Sequence, residues 1–126
     1  MIAGIGTDII RVSSIKAIIE RHGERFARRI LLDPELAAYR KAANPAAFLA
    51  KRFAAKEAAA KALGTGIGKV SFQHLEVSND EKGAPLLTLH GYAAELQKAR
   101  GITRCHLTLS DETDNAVAFV VLETAG

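Results

Sequence analysis

Apolar and polar positions recur along this chain with periods that define its elements. Residues 2–7 are apolar and β-branched around Gly4 and Gly6, which predicts a strand whose glycines permit close backbone approach, with Asp8 at its end. Ile15, Ile18 and Ile19 then recur at helical spacing, behind Ser13 and Ser14, either of which offers a capping hydroxyl, and ahead of Gly23, a helix stop. A short basic helix continues through Arg29. Asp33-Pro34-Glu35 and Asn44-Pro45 each place a capping side chain before a proline suited to the first helical position, so each opens a helix. The second is the strongest helix in the chain, running from Pro45 to Leu63, rich in alanine and lysine and ended by Gly64.

The rest reads as strands at about 70–78 and 86–90 around a turn at Asn79 to Pro85, then a helix at about 92–100. A final hairpin pairs 103–110 with 116–123 across Thr113-Asp114-Asn115. Helices mixed with hairpin-connected strands predict an α+β fold. There is no internal repeat and no linker rich in Gly, Ser or Pro, so residues 1–126 are expected to form a single domain.

Composition narrows the class. With 48% apolar and 25% charged residues in 126, the chain matches one globular domain, and two would each be too small to bury a sound core. No apolar run approaches the roughly 20 residues that cross a bilayer, and the start Met1-Ile2-Ala3-Gly4 lacks the basic region of a secretory signal, so a cytoplasmic protein is expected. Cys105 is the only cysteine, which excludes an internal disulfide and a thiolate metal cluster, and leaves it as a small hydrophobe. The net charge of +3 hides an asymmetry: residues 1–63 carry 12 Lys/Arg against 6 Asp/Glu, the remainder 5 against 8. Arg11, Lys16, Arg21, Arg25, Arg28 and Arg29 are opposed only by Glu20 and Glu24, which suits an anionic partner or a solvated helix face.

Two motifs fail on inspection. Gly4-Ile5-Gly6 has Ile9 where a dinucleotide fingerprint needs its third glycine. Gly64-Thr65-Gly66-Ile67-Gly68-Lys69 follows a helix instead of opening one, and Val70 replaces the Ser or Thr of a phosphate-binding loop. Such a turn either presents N–H groups to an anion or simply stops the helix. Phe53, Glu57 and Lys61 lie four apart and share a helix face with Leu49. In isolation Glu57 and Lys61 are an ordinary surface pair and Asp8 a cap. Jointly, Asp8 and Glu57 would suit a hard cation that completes its shell with water and phosphate. On the strand from Arg104 to Ser110, alternation puts Cys105, Leu107 and Leu109 on one side and His106, Thr108 and Ser110 on the other. His22, His74 and His90 show no zinc spacing.

Gly4-Ile5-Gly6-Thr7-Asp8-Ile9-Ile10, together with the run from Phe48 to Gly66 that contains Lys56-Glu57-Ala58-Ala59-Ala60-Lys61, closely resembles the holo-acyl-carrier-protein synthases, the small phosphopantetheinyl transferases. The resemblance continues through Asn79 to Pro85, His106 to Ser110 and the last strand, and so covers nearly the whole chain. It implies an antiparallel sheet with one long central helix, Mg²⁺ or Mn²⁺ held by Asp8 and Glu57, and Lys61 on phosphate. It implies further coenzyme A contacts at Arg52, Gly64, Thr65, Gly66 and His106, and a homotrimer with sites between subunits. The implied reaction moves 4'-phosphopantetheine from coenzyme A to a serine of acyl carrier protein, in support of fatty acid biosynthesis. The serine proton then leaves through Glu57 or a metal-bound water, and the sequence does not choose.

The acidic carrier gives Arg21, Arg25, Arg28 and Arg29 a reason beyond solubility. Two departures stand out: Ser13-Ser14 occupies a place where the family is expected to have a basic residue, and Asp111 follows Ser110 where many members have histidine. The rival class is a small RNA-binding module. Seven aromatics, no Trp and no aromatic and basic strand motif argue against nucleic acid.

Overall fold

The computed structural model describes residues 1–126, and antiparallel pairing joins the two ends of the chain. Strand β1 (Ile2–Arg11) pairs with β5 (Asn115–Thr124), the last strand, which in turn pairs with β4 (Ile102–Asp111), so the sheet order is β1-β5-β4. Between β1 and β4 lie the helices α1 (Val12–His22), α2 (Glu24–Ile30), α3 (Asp33–Lys41) and α4 (Pro45–Ala62). They are followed by a 3₁₀ turn (Phe72–His74), a separate two-stranded hairpin of β2 (Leu75–Asn79) and β3 (Pro85–Leu89), and α5 (Gly91–Ala99). The fold is α+β with antiparallel sheets, as expected. No helix is long and apolar enough to cross a membrane.

Alanine explains the central place of α4. Ala54, Ala55, Ala58, Ala59, Ala60 and Ala62 are all buried, so the helix contacts structure on several sides at once. One side packs on Ala118, Val120 and Leu122 of β5 and on the hairpin residues Leu75, Val77 and Leu87. The other, nearer the helix start, packs on Ile15, Ile30, Leu36 and Tyr39 of the first three helices. The closest approach is between backbones: a Cβ on Gly6 would lie 2.1 Å from the carbonyl oxygen of Ala58, and one on Gly4 would lie 2.0 Å from that of Ala62.

A charged node stands inside this packing. Lys56 is fully buried and its ammonium donates to the carbonyls of Ile30 and Phe72 and, at 2.8 Å, to Glu35 Oε1. All three of its donors are thus used. Glu35 also accepts the N–H of Leu32 at 3.0 Å and that of Val77 at 3.3 Å, so one carboxylate ties α3, α4 and β2 together. Burial depresses the Lys56 ammonium, and Glu35 partly offsets this.

Several boundaries differ from expectation. β1 continues to Arg11, and Asp8 sits within it, because residues 8–11 find partners from Ala118 to Asn115 that local propensity could not reveal. Neither Ser13 nor Ser14 caps α1; the helix starts at Val12, whose N–H donates to the Asp114 carbonyl at 2.8 Å. Asp33 lies in the first turn of α3 and Leu32 holds the cap position, its N–H taken by Glu35. Asn44 does cap α4, accepting from the Ala47 N–H at 3.1 Å. The strand expected from about residue 70 begins only at Leu75, since His74 Nδ1 accepts the Ser71 N–H and closes the 3₁₀ turn.

Replacing Gly6 by Ala should force β1 off α4 and destabilise the chain by about 1–3 kcal/mol or more. Urea denaturation measures this as a lower midpoint at unchanged slope. Gly68→Ala, at a position with no neighbouring atom within 4 Å, serves as the control and should change little.

Candidate active site

Two local periodicities meet where β1 crosses the end of α4. Strand alternation turns Gly4, Gly6 and Asp8 toward the helix, and the four-residue helical step puts Glu57 and Lys61 on one stripe. The glycine contacts hold β1 against the helix backbone, which brings these side chains together. Lys61 Nζ donates to Asp8 Oδ1 at 3.0 Å and to the Thr7 carbonyl at 3.1 Å. The Asp8 side chain is 17% exposed and that of Lys61 52%. Glu57 is half-buried; desolvation pushes its carboxyl up, the negative charge of Asp8 adds to this, and Lys61 partly opposes it.

Two carboxylates at one place with a single cation make an electrostatically unfinished site. No third His, Cys, Asp or Glu completes a cage, so the donor set does not fit a structural zinc. It does fit Mg²⁺, which takes one or two carboxylates and fills its remaining positions with water and phosphate oxygens.

The other expected residues lie elsewhere. Arg52 is buried and turned away from Asp8. Its Nη2 reaches Asn79 Oδ1 at 3.4 Å, its guanidinium covers the Phe48 ring at 4.7 Å, and its Nε has no hydrogen-bond acceptor. It lines a cavity of about 300 Å³ with Phe48, Lys51, Asn79, Pro85 and Asp111. Asp111, one of the two departures, faces Lys51 at 3.8 Å. His106 projects from the opposite face of the three-stranded sheet and bonds Glu123 Oε1 at 2.9 Å, which holds the Glu123 carboxyl below its usual range.

Gly64 has φ +76° and ends α4. The N–H groups of Gly64, Thr65 and Gly66 all return to the carbonyls of Lys61 and Ala60, so this turn is a helix stop and offers no N–H cradle at those three residues. Sequence reasoning did not foresee the Thr7 carbonyl as an acceptor for Lys61, nor the hydrogen bond from Arg52 to Asn79. Backbone acceptors and contacts between distant segments leave no side-chain signature.

The chain matches the 4'-phosphopantetheinyl transferase superfamily over residues 4–120. The chain belongs to that family. The transferase is 56% identical over 125 residues to a holo-[acyl-carrier-protein] synthase of Halorhodospira halophila, covering 98% of this chain and 99% of the relative. In structure it is similar to the Neisseria meningitidis holo-[acyl-carrier-protein] synthase, with a TM-score of 0.92 at 45% identity over 98% of this chain and 100% of that one. The Bacillus anthracis enzyme, solved in complex with CoA (3',5'-ADP), has a TM-score of 0.83 at 40% identity over 99% of both chains.

The state of Glu57 has a measurable consequence. Its folded value lies above the unfolded one, so between the two the folded chain binds more protons, and stability falls as pH rises. Glu57→Gln removes the penalty. Without metal, the variant should melt above the wild type at about pH 7.5 and lose that advantage as pH falls through the folded carboxyl value toward the unfolded one. Thermal melts in chelator across pH would show instead a constant offset if ionisation of Glu57 were not the cause.

Proposed function

We propose that this transferase moves the 4'-phosphopantetheine group of coenzyme A onto a serine of apo-acyl carrier protein, with Mg²⁺ or Mn²⁺ held by Asp8 and Glu57. The observation that carries the reading is the meeting of Asp8, Glu57 and Lys61 at one place from two separate sequence motifs. The relatives' names and a coenzyme A complex among them support the substrates.

The serine oxygen forms a bond to the phosphorus that carries pantetheine, and the bond from that phosphorus to the adenosine 3',5'-bisphosphate leaving group breaks. When bound, the divalent ion neutralises charge that gathers on the phosphate oxygens. Lys61, half-exposed on a flexible stem, turns its ammonium to the same oxygens as a point charge. Glu57 has a carboxylate at this place to take the serine proton. The cavity at Arg52 offers the Phe48 ring, Pro85 and the cations of Lys51 and Arg52, which suits the nucleotide end of coenzyme A.

One chain does not hold all of these groups at one place. The sheet face that bears His106 also exposes Ile5 at 62%, Ile9 at 64% and Phe119 at 42%, an apolar surface unusual for a monomer. We read it as the face that joins copies of this chain, in the homotrimer implied by the family resemblance. His106 of one copy then serves a site begun by Asp8 of another.

Carrier docking falls to the basic helices. Arg28 and Arg40 share Glu24, at 3.3 Å and 3.0 Å, whereas Arg21, Arg25 and Arg29 have no ion pair and stay free for an acidic partner. The reading places the transferase in the cytoplasm, in fatty acid biosynthesis.

Asp8→Asn or Glu57→Gln should each lower the transfer rate roughly a hundredfold or more with the fold intact. Mass spectrometry of apo-acyl carrier protein incubated with coenzyme A and Mg²⁺ reads the transfer, and near-normal turnover in both variants would remove the assignment.

Reversal of Arg25 and Arg29 to glutamate should slow carrier association at low ionic strength, with the difference shrinking as salt rises. Coenzyme A binding should barely change. Stopped-flow rates with equal salt slopes in wild type and variant would take docking away from this surface.

A further inference from the structure

Metal binding by Asp8 and Glu57, on which this inference rests, leaves one contact unexplained. Asp8 already has a cation: Lys61 Nζ lies 3.0 Å from Oδ1, on a carboxylate with 17% of its side chain exposed. The Thr7 carbonyl, 3.1 Å from the same nitrogen, gives the ammonium a second acceptor, so this position is a defined resting place. The hold is nevertheless light, because Lys61 is half-exposed at the last turn of α4 and such pairs contribute little net stability. A divalent ion brought to Asp8 meets a positive charge already on that carboxylate.

We infer that Lys61 is the resident counter-ion of Asp8 in the free enzyme, that it opposes metal binding there, and that the phosphates of coenzyme A draw it away. Metal affinity is then conditional on the nucleotide. Phosphate offers the ammonium a doubly useful exchange, since it supplies a stronger charge-assisted acceptor and leaves Asp8 to the ion. Coupling of this kind is reciprocal: the nucleotide tightens the metal by the same factor as the metal tightens the nucleotide. If Lys61 merely held Asp8 in position, its removal would loosen the carboxylate and weaken metal binding. The two roles therefore predict opposite signs.

The experiment titrates Mn²⁺ into the folded enzyme without coenzyme A and follows the free-ion signal by electron paramagnetic resonance. Lys61→Met keeps the length of the side chain and removes its charge, and it should bind Mn²⁺ roughly tenfold more tightly than the wild type. Lys98→Met, which removes the same charge from α5, should bind as the wild type does. Addition of coenzyme A should then tighten Mn²⁺ by a smaller factor in Lys61→Met than in the wild type.

Unchanged, weaker or undetectable Mn²⁺ binding by Lys61→Met overturns the inference, as does an equal gain in Lys98→Met. In either case loss of Mn²⁺ binding in Asp8→Asn leaves the metal site standing. Wild-type Mn²⁺ affinity in Asp8→Asn removes the metal site itself and the inference with it.

Discussion

Everything at the candidate site depends on a contact that involves no side chain. Gly4 and Gly6 let strand β1 lie on the carbonyls of Ala58 and Ala62, at a separation that no other residue would tolerate. The carboxylate of Asp8 projects from that strand and the groups of Glu57 and Lys61 from that helix. Their mutual reach is fixed by backbone approach, and longer side chains would not restore it if the strand moved away. Rigid elements locate such groups more closely than loops do.

The two lysines of the shared motif show how location decides the work of a side chain. Lys56 and Lys61 stand five residues apart on α4. Lys56 is fully enclosed, with its three donors committed to Ile30, Phe72 and Glu35. Lys61 is half-exposed and held by two acceptors at the rim. The first is bound to the architecture, and a partner lost there would leave a buried charge uncompensated. The second is free to exchange partners.

The long helix, its Asn44 cap and the final hairpin were legible in the sequence because their signals are local: proline at the first turn, alanine in the interior, alternation in the strands. The node of Lys56, Glu35 and Arg52 was not, since composition marks all three as surface residues and only the junction of α3, α4 and β2 encloses them. The extension of β1 through Asp8 to Arg11 was missed for a related reason, as its pairing partner lies more than a hundred residues away. Asp8, Glu57 and Lys61 were named from the motif, but spacing alone could not show that strand and helix would meet. The separation of Arg52 and His106 from that trio follows from strand alternation and helix facing, which need the assembled fold to be read.

The strand order β1-β5-β4 carries a consequence for synthesis. The central strand of the sheet, β5, follows the other elements, and β1, which precedes them, has no sheet partner until β5 emerges. Until then Gly4 and Gly6 have no sheet to hold them on α4, and Ala118, Val120 and Leu122 are missing from the core they help to close. Before β5 is made the nascent chain therefore has its helices formed only as far as local contacts allow, and β1 and β5, far apart in sequence, complete the fold together.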